Sequence, residues 1–228
     1  MAKTHPMADS RDMFVVHDMF RREFKAIPGL VSEVPDGDGA QVTIVADHVV
    51  WMVTFLHAHH HGEDLFVWPK LLERVPVKID PLIFTMEAQH KGLAQALDDL
   101  GAKAAGWRKT SAVQERDAVA GAATDLLVLI AEHLGLEERE VLPLIDTYLT
   151  EKEWKKVGGS GLKKMSFGQL KVAFGMILDG AGPEQVKIMR DTLPLPAWTF
   201  FSLTGPRAYL KYARRLRGAH VPALPIAA

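Results

Sequence analysis

The stretch that decides the fold is His59-His60-His61-Gly62-Glu63-Asp64-Leu65-Phe66-Val67-Trp68-Pro69. Its skeleton returns later in the chain as His133-Leu134-Gly135-Leu136-Glu137-Glu138-Arg139-Glu140-Val141-Leu142-Pro143. In both stretches a glutamate follows a histidine by four residues, and a second acid comes directly after it. A histidine and a glutamate at this spacing on a helix share one face, about one turn or roughly 6 Å apart. The repeat therefore predicts two helices that each offer a pair of metal ligands to a common interior.

The first stretch contains three competing registers, because a histidine precedes a possible ligand by four residues three times. The pairs are His57 with His61, His59 with Glu63, and His60 with Asp64. Helical periodicity hardly separates the second pair from the third, since both faces carry apolar neighbours. Alignment of the two stretches on Pro69 and Pro143 favours His59 and Glu63. The third pair remains the fallback, and the first pair is expected to face solvent or a neighbouring helix.

The composition limits where a metal could be bound and what else the protein could do. The chain has 228 residues, no cysteine and a formal net charge of −1. Disulfides, thiolate sites and cysteine nucleophiles are excluded, so histidine and carboxylate side chains must hold any metal. The balanced charge indicates no nucleic-acid partner. We expect a soluble cytoplasmic protein without a membrane span.

Four long amphipathic segments predict an antiparallel four-helix bundle in an all-α protein. The first starts after Asp9 or Ser10 and is expected to end at about Ala26, before Pro28-Gly29. The others run from about Gln41 to Leu72, from Asp80 to about Ala105, and onward from a capping box of Ser111 and Gln114. Each segment carries one histidine near its middle; these are His17, His59, His90 and His133.

The candidate metal ligands follow from the cost of burying these side chains. Unpaired buried charges cost several kcal/mol each, and metal coordination would compensate that cost. Four imidazoles and two carboxylates can hold a dinuclear centre in a bundle core, with the carboxylates bridging. The predicted ligands are His17, His59, Glu63, His90, His133 and Glu137. Asp18, Glu87 and Glu138 are candidates to orient ligand imidazoles by hydrogen bonds.

In these motifs the chain resembles the hemerythrin-like, HHE cation-binding family. The resemblance rests on His17-Asp18, His59-x-x-x-Glu63, the lone His90 and His133-x-x-x-Glu137, in that order. It implies a bundle over residues 9–149 and a cofactor of two iron ions with an oxo or hydroxo bridge. Zinc or manganese would suit the same nitrogen and oxygen ligands.

One departure from the oxygen-carrying hemerythrins concerns the third helix, where those proteins place two histidines four residues apart. Here the positions four away from His90 are Met86 and Ala94. The departure predicts that one metal is poorer in histidine and more open, which favours chemistry on a small ligand over reversible oxygen carriage.

Residues 150–228 are expected to form a C-terminal helical extension packed on the bundle. A helix starting at Thr150 should break at Gly158-Gly159-Ser160-Gly161, and Ser166 with Gln169 should cap another. A further helix is expected from Pro183 to Leu193, and a last one from Gly205-Pro206. Trp198, Phe200 and Phe201 are expected to pack on the bundle, with a cap over the metal pocket or a homodimer surface as alternatives.

The expected function is that of a non-haem di-iron protein that binds and reacts with hydrogen peroxide, nitric oxide or dioxygen. A catalase-like or scavenging activity in oxidative or nitrosative stress is favoured, with electrons from an unidentified reductant. An apolar lining that excludes water is expected from Phe14, Phe20, Phe55, Met86 and Leu126. The alternative is an iron or oxygen sensor that signals through its C-terminal helices without turnover.

Overall fold

The computed structural model describes residues 6–76, 78–162 and 165–217, excluding the side chains of residues 160 and 161. These residues are almost wholly helical, and their one departure toward β-structure is an isolated bridge between Met7 and Thr150. The helices are α1 (Arg11–Ser32), α2 (Gly39–Phe66), α3 (Trp68–Arg74), α4 (Asp80–Thr110), α5 (Val113–Leu136), α6 (Leu142–Tyr148), α7 (Glu151–Leu162), α8 (Phe167–Leu178), α9 (Pro183–Thr192) and α10 (Leu195–Arg217). A π-helical turn, Glu137–Val141, joins α5 to α6.

Helices α1, α2, α4 and α5 form the predicted four-helix bundle. Their buried apolar residues fall into two clusters, one at each end of the metal-ligand candidates. On α1 and α4 the smaller cluster comes before the histidine and most of the larger cluster after it, whereas α2 and α5 have the reverse order. Val15 and Leu134, each within two residues of a ligand histidine, are the exceptions. Consecutive bundle helices therefore run antiparallel, as the sequence predicts.

A layer of buried polar side chains separates the two clusters. The larger cluster includes Phe20 and Leu56 below the layer, and the smaller one includes Met13 and Val67 above it. Helices α3, α6 and α7 cover the smaller cluster, since Leu71, Ile145 and Trp154 are among its buried members. The ligand candidates thus lie inside the protein, between two separate apolar cores.

Helix α1 is longer than the sequence suggests. It continues through Pro28 and ends at Ser32, so the predicted stop at Pro28-Gly29 is wrong. Proline removes one backbone hydrogen bond, but the burial of Ile27, Leu30 and Val31 in the larger cluster compensates for that loss. The predicted inward position of Phe14 is also wrong, because its side chain is 41% exposed.

The second and fourth bundle helices also differ from their predicted limits. Helix α2 ends at Phe66, and a turn at Val67 separates it from α3. The predicted capping box of Ser111 is absent: Ser111 adopts a left-handed conformation with φ 55° and ends α4. Helix α5 therefore begins only at Val113 and has no side-chain cap.

The C-terminal helices follow their predicted pattern in part. The capping box of Ser166 and Gln169 is confirmed. The glycine run within α7 does not break that helix, and α10 passes straight through Gly205-Pro206. Helices α8 and α10 pack so closely that a Cβ on Gly175 would overlap the Gly205 carbonyl, so glycine is required there.

Helix α10 contacts the bundle through polar groups of α1 and α2. The Tyr209 hydroxyl donates to the buried Glu23 carboxylate at 3.1 Å, and Arg217 lies 3.7 Å from the other carboxylate oxygen. Gln41 donates to the Leu216 carbonyl at 2.9 Å. Residues 218–228 of the predicted extension lie outside the described residues.

Two segments are long and apolar enough to cross a membrane by length and composition, namely Gly39–Arg74 and Val113–Tyr148. Each contains a buried bundle helix with a histidine and a glutamate in the polar layer. A helix in the core of a bundle is also long and apolar enough to meet this criterion, and the position of these two segments in the bundle accounts for their composition.

Candidate metal centre

All six predicted ligands meet in the polar layer, together with His60. Four of the seven residues have no exposed surface, and His60 and His90 are 5% and 6% exposed. The His59 side chain is 10% exposed. All of them except Glu137 form two groups, in each of which one ligand atom per residue lies within 4.8 Å of every other. The groups share Glu63.

The first group contains three imidazoles and comprises His60, Glu63, His90 and His133. The rings of His60 and His90 stack with their centroids 4.3 Å apart. The His133 ring stands edge-on to both, at 4.8 Å from His60 and 4.7 Å from His90. His90 Nε2 is 3.4 Å from one Glu63 oxygen. Three nitrogens and a carboxylate therefore face one small volume.

The second group contains two imidazoles and comprises His17, His59 and Glu63. The Nε2 atoms of His17 and His59 are 3.3 Å apart, and His59 Nε2 is 3.0 Å from the other Glu63 oxygen. One Glu137 oxygen lies 3.5 Å from His17 Nε2 and 3.7 Å from His133 Nε2, so Glu137 reaches both groups. Each glutamate thus lies between the two sets of imidazoles.

His60 was only the fallback in the sequence, yet it is buried in the first group. Helix α2 packs against both α1 and α4, and adjacent helical residues differ in direction by about 100°. His59 can therefore face His17 of α1 while His60 faces His90 of α4. The sequence did contain an indication of this role, because α4 has no second histidine four residues from His90. His60 of α2 supplies an imidazole beside His90 instead.

This arrangement corrects the expected cause of the ligand asymmetry. With His60 present, the metal position beside His90 has three imidazoles and is the histidine-rich one. The position beside His17 and His59 has two. The two ligand groups therefore still differ in their number of histidines, but the group with fewer lies on the α1 side.

Three side chains orient ligand imidazoles from outside the groups. His90 Nδ1 donates to Asp64 at 2.7 Å, and His17 Nδ1 donates to Glu138 at 3.0 Å. His133 Nδ1 lies 3.3 Å from the Gln89 side-chain oxygen. Such contacts fix the ring and its tautomer, which leaves Nε2 free to bind a metal.

Two of the three acids predicted to orient imidazoles do not do so. Glu138 has this role, and Arg21 anchors it through two hydrogen bonds of 2.7 and 2.9 Å. Asp18 points away from the centre and accepts from Gln185 at 2.8 Å. Glu87 lines a cavity outside the layer.

The π-helical turn explains how the adjacent Glu137 and Glu138 both serve the centre. A π turn inserts one extra residue and rotates the following side chains, and such turns are frequent at functional sites. Pro143 lacks the N–H that the Arg139 carbonyl would accept in a regular helix, and this favours the irregularity. Pro69 has the same relation to Leu65, and there α2 is interrupted at Val67.

Most of the ligand atoms lack hydrogen-bond partners within the described protein. Neither oxygen of Glu63 or Glu137 has a hydrogen bond, and neither has Nε2 of His60, His90 or His133. The contacts of Glu63 and Glu137 with the imidazoles are close in distance but lack hydrogen-bond geometry. Seven buried nitrogen or oxygen atoms without partners would be costly in a folded protein. The set fits two divalent or trivalent ions with mixed nitrogen and oxygen ligands.

Burial dominates the pKa values of these groups without metal. Desolvation raises the pKa of Glu137 to about 8, and nearby Glu63 adds to this. Desolvation lowers the pKa of His133 to about 2. Burial would also lower the pKa of His90, but the carboxylates of Asp64 and Glu63 outweigh it and raise the value to about 9. Metal binding must therefore displace protons at neutral pH.

A cavity of about 400 Å³ opens from the centre to the surface between α2 and α4. His60 and His90 form its inner end. Its remaining lining is mostly polar and comprises His57, His61, Asp64, Glu87, Lys91 and Ala94. The cavity thus brings two ligand imidazoles to the edge of a mostly polar surface opening.

The other histidines of α2 lie away from the centre. His57 donates to Asp98 of α4 at 3.1 Å, and His61 is exposed. These positions agree with the solvated or interhelical roles expected for this pair. His48 is buried farther along α2, and its Nδ1 lies 2.9 Å from the Tyr212 hydroxyl.

The hemerythrin HHE cation binding domain family matches residues 9–145, more than half of the chain. The chain belongs to this family. The match covers α1 to α5, the π turn and the start of α6, and it ends before the C-terminal helices of the hemerythrin-like protein. No curated protein and no solved structure is significantly similar to the chain.

The family is one of cation-binding domains, and the buried histidines and glutamates form groups that could hold a metal ion. Both observations support a cation-binding site. The family match includes all six predicted ligands and His60. A hemerythrin domain is a helical bundle, which the fold confirms. The protein is therefore a metal-binding helical bundle, and the structure describes four further helices after α6 up to residue 217.

Proposed function

We propose that the hemerythrin-like protein holds two iron ions and uses them to consume hydrogen peroxide in the cytoplasm, as part of defence against oxidative stress. The observation that supports this most is the group of seven buried ligand atoms without hydrogen-bond partners. The metal pair would be held by His60, His90 and His133 at one position and by His17 and His59 at the other, with Glu63 and Glu137 shared. When bound, iron supplies Lewis acidity and one-electron valence changes.

The access cavity supports hydrogen peroxide as the ligand over dioxygen and nitric oxide. Dioxygen is apolar and nitric oxide only weakly polar, so neither needs a hydrogen-bonding route to a buried site. The cavity beside His60 and His90 is instead lined mainly by charged and imidazole side chains. Hydrogen peroxide both donates and accepts hydrogen bonds, so this lining suits it best.

The protein's own residues position the ligands and exclude bulk water. Asp64, Glu138 and Gln89 fix the rings of His90, His17 and His133. Phe20, Phe55, Met86 and Leu126 are buried around the layer, so four members of the expected apolar lining have the predicted environment. The polar cavity would admit water and peroxide to the side of the centre that carries His60 and His90.

Metal content and peroxide consumption of the purified protein test the proposal together. The expected result is two iron ions per chain, a charge-transfer spectrum of a coupled iron pair, and peroxide consumption that depends on iron. His133→Ala should lose iron and activity, whereas His61→Ala should retain both. Iron-loaded protein that leaves peroxide unchanged, or equal losses in the two variants, would contradict the proposal.

A sensor function is the second candidate, and the attachment of α10 to the bundle favours it. Glu23 lies six residues after His17 on α1 and accepts from Tyr209 of α10. A change at the centre could therefore reach the C-terminal helices through α1. Limited proteolysis with and without iron tests this candidate: altered protection of residues 150–217 supports signalling, and identical protection in both states counts against it.

A further inference from the structure

A continuous row of aromatic rings connects the metal centre to α10. Trp51, Phe55 and His59 follow one another at intervals of four on α2, so they lie along one face over about 12 Å. The Phe20 ring centroid is 5.1 Å from that of His59 and 5.1 Å from that of Phe55. Phe55 stacks with Trp51 at 6.5 Å. The row thus begins at a ligand imidazole.

The outer end of the row is Tyr212 of α10. Its ring stands edge-on to Trp51 with the centroids 5.5 Å apart. Its hydroxyl lies 2.9 Å from Nδ1 of His48, which is one of the nine buried polar or charged residues of the described chain. Burial lowers the pKa of His48 to about 3, so this imidazole is neutral and its Nδ1 can accept the hydrogen bond of the Tyr212 hydroxyl.

The pairing of Tyr212 with His48 has no evident structural necessity. The imidazole is buried, and its Nε2 has no partner among the described residues. An apolar residue at position 48 would avoid this cost. Moreover, the indole N–H of Trp51 is also buried without a partner. Two polar groups left unsatisfied beside one tyrosine indicate a role other than stability.

We propose that Tyr212 is a redox-active tyrosine that passes single electrons to the metal centre, with Trp51 as the relay and His48 as the proton acceptor. This inference rests on the proposed reaction with hydrogen peroxide, and it assigns the protein a peroxidase activity. It also gives the C-terminal helices a role, because α10 supplies the tyrosine that the bundle alone lacks.

The Tyr212 O–H bond breaks, its proton moves to His48 Nδ1, and its electron moves by way of Trp51 and the phenylalanines toward His59. A one-electron reductant of the ascorbate class then reduces the tyrosyl radical, and the proton returns from His48. Two such cycles deliver the two electrons that convert hydrogen peroxide to two water molecules. The two reductant molecules release the two protons required.

The direct test is electron paramagnetic resonance of the iron-loaded full chain, frozen after mixing with hydrogen peroxide. We expect a tyrosyl signal that Tyr212→Phe abolishes. The matched control is Tyr148→Phe, which lies on α6 outside the aromatic row and should retain the signal. Trp51→Phe should delay its appearance, and ascorbate should remove it. A signal that persists in Tyr212→Phe with unchanged iron content would overturn the proposal.

A second measurement separates this inference from the proposed function. Flash oxidation with a ruthenium photo-oxidant generates tyrosyl radicals without peroxide or iron. Tyr212 should then be oxidised first among the three tyrosines of the chain, with a solvent isotope effect that His48→Phe abolishes. If peroxide is not consumed but this flash result holds, only the peroxidase function fails. If the flash yield is the same in Tyr212→Phe, the inference fails whatever peroxide does.

Discussion

Replacement of His60 by leucine should affect the metal-free and metal-loaded protein in opposite directions. His60 is 5% exposed, and its Nε2 has no partner in the described protein. Leucine is apolar, so the metal-free protein loses an unsatisfied buried group that costs about 1–3 kcal/mol. We therefore expect His60→Leu to unfold at an equal or higher temperature than the metal-free parent.

The metal-loaded protein should be weakened by the same change. Structural zinc sites with four ligands contribute about 10–16 kcal/mol, or about 3 kcal/mol per ligand, which corresponds to roughly a hundredfold in affinity. The first group would retain His90, His133 and Glu63. We expect the metal at this position to bind about a hundredfold more weakly, while the position beside His17 keeps its affinity.

Chelator competition and metal analysis of the purified variants measure this effect. His61→Leu is the matched control, because the His61 imidazole is adjacent in sequence but exposed, and it belongs to neither ligand group. It should bind two ions as the parent does. A role of His60 as a ligand is refuted if His60→Leu also binds two ions with parental affinity, or if it destabilises the metal-free protein while leaving metal binding intact.

Three further predictions follow from the centre, the cavity and the helix contact. In the folded protein the pKa of Glu137 is about 8 and that of His90 about 9, above their ordinary values of 4.5 and 6.5. A raised pKa favours the folded state fully at a pH below the ordinary pKa, and this contribution is lost as the pH rises through the folded-state pKa. The unfolding temperature of the metal-free protein should therefore fall from pH 7 to pH 9, whereas metal affinity should rise; a constant affinity would contradict this. Ala94→Phe should fill the access cavity and slow azide binding to the iron-loaded protein without reducing iron content, and equal rates would exclude this route. Gly175→Ala should destabilise the α8–α10 contact by about 1–3 kcal/mol, seen as faster proteolysis of α10. Gly168→Ala should have little effect, because its Cβ would meet only the Ser166 side chain at an ordinary contact distance of 3.9 Å.

The bundle and the position of its polar layer could be predicted from the sequence because periodicity and ligand spacing coincide. His59 with Glu63 and His133 with Glu137 lie on the buried faces of helices whose apolar residues recur at the same period. The same rule placed His17 and His90 opposite them. All six side chains come together as the pattern predicts, although their coordination of a metal remains a prediction.

The role of His60 as a candidate ligand could not be predicted from the sequence of α2 alone, because the pattern of one helix does not show how many other helices pack against it. Two adjacent residues can both be buried only when two other helices lie about 90° apart around the first. The breaks were also misjudged at Pro28 and Pro206, both of which lie inside continuous helices. There, tertiary burial of the flanking apolar residues outweighs the local preference of proline.

The division of the interior by a polar layer has a consequence for unfolding. Cooperative unfolding requires apolar contacts that continue through the whole domain, and among the described residues the buried apolar side chains form two clusters with the histidines and glutamates between them. Metal ions in that layer would join the halves into one cooperative unit. Without metal, α3, α6 and α7 should open separately, and hydrogen exchange should detect this as lower protection at that end than around Phe20. The cation would then decide whether this chain melts once or twice.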